Sequence, residues 1–241
     1  GANSIRKEGE ALNTWYLADY AYVDREKGIY MMYERDSEKW DDEFRTERTG
    51  NVIPMTNDNV NANKMIQHGK TPLPKFYGGF NNTFYYKNFD LNVMFSFSGG
   101  NWLMNTLYAN GATVSGIFNN VKDMVGKTWE KPGDIAEYPQ LMWNSAYHYN
   151  SKGEYVKGTT KYDSQNTTRY LERGDYIRLK NLQIGYTLPK SIISGVNLSN
   201  VRFYLGVTNL FTITGYDGLD PETQSDLPIS RTINFGASIN L

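Results

Sequence analysis

"ISRTINFGASINL", residues 229–241, sorts itself into two faces. Side chains of an extended strand alternate with period 2. Ile229, Arg231, Ile233, Phe235, Ala237, Ile239 and Leu241 therefore fall on one side, and Ser230, Thr232, Asn234, Gly236, Ser238 and Asn240 on the other. A small, uncharged polar face behind an aliphatic one suits either a soluble sandwich or a membrane barrel. The rest of the chain has to decide between them.

Working outward, the same pattern returns. In "FDLNVMFSFS" (89–98), Leu91, Val93, Phe95 and Phe97 alternate with Asn92, Met94, Ser96 and Ser98. In "VRFYLGVTNLFTI" (201–213), Val201, Phe203, Leu205 and Val207 stand opposite Arg202, Tyr204, Gly206 and Thr208. "DYIRLKNLQIGYTL" (175–188) begins with Ile177 and Leu179 and ends with Leu182, Ile184, Tyr186 and Leu188, so its parity flips near Asn181, as a β-bulge would make it do. With "KFYGGFNNTFYY" (75–86) and a first hairpin of "TWYLADYAYV" (14–23) and "GIYMMYE" (28–34) about the turn "DREK", the count reaches about seven strands.

The links between them alternate in length. Residues 24–27, 87–88 and 189–200 are short, whereas 35–74, 99–174 and 214–228 are longer. Long structureless loops are uncommon in compact soluble domains. Outer-membrane barrels place short periplasmic turns at one end and long extracellular loops at the other. Within the longest loop, Ile117, Val121, Met124, Val125 and Trp129 recur at three- and four-residue spacing, which predicts an amphipathic helix over 113–129 ahead of Pro132.

Composition narrows the function. A net charge of -1 carries no electrostatic footprint for nucleic acid. With no cysteine, disulfide scaffolds, thiolate metal sites and Cys nucleophiles are excluded. The opening "GANSIRKEGE" has no apolar core of a signal peptide, and no run reaches the roughly 18 apolar residues of a membrane helix. An aromatic content of 15%, with 19 Tyr, suits the interfacial girdles of a membrane barrel and also a carbohydrate-binding sandwich.

Three stretches carry a family resemblance as a set: "LPKFYGGFNNTFYYKNFDLNVMFSFSGGNWLMN" (73–105), "RYLERGDYIRLKNLQIGYTLPKS" (169–191) and "VRFYLGVTNLFTITGYDGLDPET" (201–223). In order and spacing the set resembles the C-terminal barrel region of the SusC/RagA family of TonB-dependent outer-membrane transporters of Bacteroidota. The resemblance implies that residues 1–241 are part of an all-β, antiparallel transmembrane barrel of about 22 strands, plugged by a domain this chain does not contain. It further implies TonB-dependent uptake of a glycan or peptide, with the rest of the barrel and its plug, a SusD-like surface lipoprotein, the TonB complex reached through the plug, and outer-membrane lipid as partners. Leu241 departs from the Phe on which such barrels usually end. No cofactor or metal is implied.

On this reading Leu91, Val93, Phe95, Phe97, Phe203, Leu205, Val207, Ile233, Phe235 and Ile239 face lipid, and Asn92, Ser96, Arg202, Tyr204, Asn234 and Ser238 face the lumen. Trp102, Trp129, Trp143, Tyr147 and Tyr149 in the long loop are candidates for stacking on sugar rings or for contact with a lid protein; packing inside the loop is the equal alternative. Asp217, Asp220, Glu222 and Asp226 offer calcium-type oxygens without EF-hand spacing, and read as a solvated turn. His68 and His148 have no second ligand at metal spacing, and Glu154 and Asp163 lack the rigid setting a glycosidase needs. Seven strands do not close a barrel. The strand 229–241 is therefore expected to pair with 201–213 on one side and with another part of the barrel on the other, while 14–23 forms the opposite seam. The rival readings are a soluble secreted sugar-binding sandwich, which needs no detergent, and a glycoside hydrolase, which would turn over a glycan.

Overall fold

The computed structural model describes residues 3–36, 47–112, 120–141, 147–149, 154–157, 166–195, 198–223 and 227–241. These fall into two compact units, one formed by Gly1–Leu73 with Trp102–Glu172 and the other by Pro74–Asn101 with Arg173–Leu241.

The second unit is a five-stranded antiparallel sheet built from Phe76–Tyr86, Phe89–Gly99, Tyr176–Thr187, Asn200–Thr214 and Thr232–Asn240, each paired with the next. Registered partners share a face, so the alternation read in single strands becomes a property of the whole sheet. Phe80, Phe95, Leu179 and Phe211 line up across four strands on the apolar face, and Asn82, its one polar neighbour there, pairs with Val93. The parity flip has the expected cause: Leu179 pairs with Phe95 and Asn181 with Met94, leaving Lys180 as an extra residue. The bulge continues into the next strand, where Leu179 pairs with Phe211 and Asn181 with Thr208. There Asn209 takes a φ of 53° and donates to the Ser230 carbonyl at 3.1 Å.

Most of the apolar face is exposed, although Leu179 and Val201 are buried. Phe235 is 75% exposed and Ile233 68%, and the Phe203 and Phe235 rings stack across strands at 6.5 Å. In water so large an apolar surface would be a liability; in lipid it is the solvent-matched face. The turn Lys87–Asn88 and the strand ends Thr187 and Asn200 lie at one end of the sheet, and Phe76, Gly99, Tyr176 and Thr214 lie at the other. No helix among the described residues is long and apolar enough to cross a membrane.

The first unit corrects the strand count. The hairpin 14–34 is not part of the five-stranded sheet. Its first limb breaks at Asp19 into Thr14–Ala18, which pairs with Ser4–Ile5 and Lys64–Ile66, and Tyr20–Val23, which joins Tyr30–Arg35 and Arg48–Pro54 in a separate sheet. Asp19 holds the break, accepting from Arg48 at 2.6 Å and from Gln67 at 2.7 Å. Ala18, Val23, Tyr30, Met32, Met55, Val60 and Trp129 form a buried core. Among the described residues, five strands thus form one continuous sheet, and the strands of 14–34 pair in two separate sheets.

The helix expected over 113–129 is also revised. Residues 113–119 lie outside the described residues, and beyond them Lys122–Met124 makes a single 3₁₀ turn. The loop's α-helix lies earlier, at Thr106–Gly111, where the Asn105 side chain caps it by accepting from the Tyr108 N–H at 3.0 Å.

Candidate functional site

The polar face of the five-stranded sheet collects the residues expected to face the lumen. Asn92, Ser96, Arg202, Tyr204, Asn234 and Ser238 share one side, because Asn92 is in register with Gln183, Ser96 with Arg178, Arg202 with Ser238, Tyr204 with Gly236 and Gly206 with Asn234. Asn92 donates to Asn81 at 3.1 Å and to Thr83 at 2.9 Å, and accepts from Asn181 at 3.2 Å, forming an amide ladder over three strands. Arg202 reaches across the central strand to Asp90, with bonds of 3.0 and 2.6 Å. Gly185 makes that reach possible, since a Cβ there would lie 2.3 Å from the guanidinium and 2.4 Å from the carboxylate. The Tyr204 ring likewise covers Gly236, filling the space above a residue without a side chain.

One group on this face was not legible as a site. Arg178 is buried on the sheet, and Asp220 receives both of its carboxylate contacts from one guanidinium nitrogen at 2.9 and 2.8 Å. Thr212 accepts from Arg178 Nε at 3.0 Å, Glu222 pairs with the guanidinium at 3.0 Å, and the bulge residue Lys180 pairs with the same Glu222 at 3.0 Å. Asp220 also accepts backbone N–H groups of Glu222 and Thr223 at 2.9 and 3.2 Å. Burial pushes the Asp220 carboxyl up, but Arg178 and these amides outweigh it and hold it below its ordinary value. The "DPET" segment is thus an ion-paired latch held to the sheet, and not a solvated turn, while Asp226 lies outside the described residues. The signal was present in "YIRLK", where two cations, one of them the bulge residue Lys180, precede an acidic loop later in the chain. No group of three or more metal-ligating side chains occurs among the described residues.

The loop aromatics separate. Trp129 is 8% exposed, its ring packs on Gly28 and its Nε1 donates to the Arg25 carbonyl at 2.7 Å, which makes it a core residue with no face for a ligand. Trp102 is half-buried, with the Lys70 ammonium 4.9 Å above its ring. Tyr147 and Tyr149 lie on a short strand paired with Tyr155–Lys157, and Trp143 and Asp163 lie outside the described residues. His68 contacts Glu10 at 2.5 Å.

The first unit also holds a cleft that the sequence did not announce. It encloses about 780 Å³ and is lined by Tyr20, Tyr22, Arg25, Glu26, Ile135 and Arg169 among others. The Arg169 guanidinium lies over four rings, 4.7 Å from Tyr20, 5.0 Å from Tyr30, 5.2 Å from Tyr138 and 5.3 Å from Tyr170, a cation–π cage. It donates to the Glu137 carbonyl at 2.6 Å. Burial pushes the Tyr20 and Tyr30 phenols above their ordinary values, so these two rings add no negative charge.

Comparison with known proteins places these features. No protein-family model matches the chain. It is 33% identical over 228 residues to TonB-dependent receptor P3 of Formosa agariphila, covering 90% of this chain and 19% of that protein. It is 24% identical over 244 residues to TonB-dependent receptor SusC of Bacteroides thetaiotaomicron, covering 98% of this chain and 20% of that one. The solved structure of the RagAB peptide transporter superposes with a TM-score of 0.72 at 24% identity, over 99% of this chain and 25% of the other. The chain therefore spans about a fifth of the length of these curated relatives. The relatives are receptors and transporters, not enzymes, and the superposition shows that the chain shares its fold with one of them. The chain is a stretch of outer-membrane β-barrel and belongs to the SusC/RagA family of TonB-dependent receptors.

Proposed function

We propose that the chain supplies part of the barrel wall and part of the extracellular vestibule of a nutrient importer that takes up an oligosaccharide or a peptide. The observation that carries this reading is the sorting of the five-stranded sheet. Its apolar face is largely exposed, its opposite face carries amides, hydroxyls and paired charges, and both outer edges are unpaired among the described residues. An unpaired edge in hydrocarbon leaves N–H and C=O groups at a cost of several kcal/mol each. The free edges of Phe76–Tyr86 and Thr232–Asn240 therefore pair with strands of the remaining barrel, and Asn92, Ser96, Arg202, Tyr204, Asn234 and Ser238 face its lumen.

The energy for transport enters through a plug coupled to TonB, and the long loops meet a SusD-like lipoprotein. Support for both comes from the relatives. Uptake of labelled oligosaccharides and oligopeptides by a strain lacking the gene, compared with its complemented parent and a tonB-deficient strain, tests the reading. Loss of one solute class in both deficient strains is expected. Unchanged uptake of every solute tested would overturn it.

A further inference from the structure

Two guanidinium groups meet the cleft of the first unit without a carboxylate partner. Among the described residues no acidic side chain lies within ion-pair distance of Arg169 or of Arg25. Arg169 has only rings, a hydroxyl and a carbonyl around it. A cation held in this way at the wall of an open cleft keeps capacity for an anion, and the planar guanidinium fork matches a carboxylate. Arg25 stands at the rim, exposed, with its position fixed through its backbone carbonyl, which accepts from Trp129 at 2.7 Å and from Gly133 at 2.9 Å.

The acidic residues of the cleft limit how much negative charge it tolerates. Asp24 is spent on the turn, accepting the Glu26 and Lys27 N–H groups at 2.9 and 2.7 Å. Glu137 pairs with Lys127 at 3.2 Å, and Glu26 has no ion pair among the described residues. Three carboxylates around one cavity repel a ligand with a charge on every unit, but the two arginines that line it can offset a single carboxylate, with Glu26 available to an amine. The remaining lining is the Tyr20 and Tyr22 rings and the 80% exposed Ile135, a surface for an apolar or aromatic side chain.

We propose that this cleft is a binding subsite for an oligopeptide, with Arg25 and Arg169 receiving a free carboxylate of the peptide and the tyrosines and Ile135 its neighbouring side chain. The proposal rests on the importer reading and names its substrate class. It is tested by fluorescence polarisation on the full-length, detergent-purified protein, using a dye-labelled tetrapeptide ending in Tyr-Ala as free acid and as C-terminal amide, with an unlabelled hexauronate as competitor. The free acid is expected to bind at least about tenfold more tightly than the amide. Arg25→Gln, at an exposed site whose backbone contacts are kept, should lower acid binding to the amide's level and leave the amide unchanged. Equal binding of acid and amide, no effect of Arg25→Gln, or displacement by the hexauronate at concentrations as low as by unlabelled acid peptide would each overturn the subsite. Acid-selective, Arg25-dependent binding in a protein that imports nothing would leave the subsite standing and sink the transport reading.

Discussion

The two units of this chain obey opposite rules with the same residue types. In the sheet, Phe235 and Ile233 are largely exposed while Arg178 is buried; in the first unit, Met32 and Val60 are fully enclosed. A water-facing domain hides its apolar side chains because hydration is unfavourable. A wall strand needs no such shelter, since hydrocarbon surrounds its outer face, and its polar groups gather on the inner one. Alternation alone does not say which solvent is present. The difference is read from what lies on the far side of the apolar face: a second layer of side chains for Met32, and nothing for Phe235.

This contrast gives ways to break the account. The largest expected effect is in the first unit, where Trp129→Ala removes a core side chain and should cost about 3–5 kcal/mol. Limited proteolysis in detergent is expected to cut within 1–73 or 102–172 while leaving the five-stranded sheet resistant. Equal loosening of both units would mean that they are not separate packing units.

A smaller effect is expected at the latch. The folded Asp220 carboxyl titrates below its unfolded value of about 3.9, so its contribution is fully present above that value and is lost as pH falls through the folded one. Hydrogen exchange of residues 215–223 should be constant from neutral pH down to about 4, after correction for intrinsic rates, and should accelerate below it. Acceleration already at pH 6 would assign the latch to another group.

The wall was legible in the sequence because register there is dictated by the solvent on each side. Parity in 89–98, 201–213 and 229–241, and even the bulge at Lys180, followed from counting by twos. The hairpin 14–34 misled because its tyrosines and methionines also look like strand residues. The warning lay in Tyr30, Met31 and Met32, three consecutive apolar residues that are all buried, where a wall strand would alternate. The Arg178 latch and the Arg169 cage were hidden for another reason. Each joins residues far apart in the chain, Arg178 to Asp220 and Arg169 to Tyr20, and no local period records such a meeting.

The central claim is that the five strands, and not the 14–34 hairpin, face the membrane. The chain has no cysteine, so single cysteines introduced into it at Phe235, Asn234 and Tyr22 mark three environments: the apolar face, the polar face and the half-exposed hairpin. Labelled with bimane and reconstituted with brominated lipid, the probe in Phe235→Cys should be quenched strongly, and those in Asn234→Cys and Tyr22→Cys should keep their emission. Strong lipid quenching at Tyr22, or equal quenching at Phe235 and Asn234, would contradict the account.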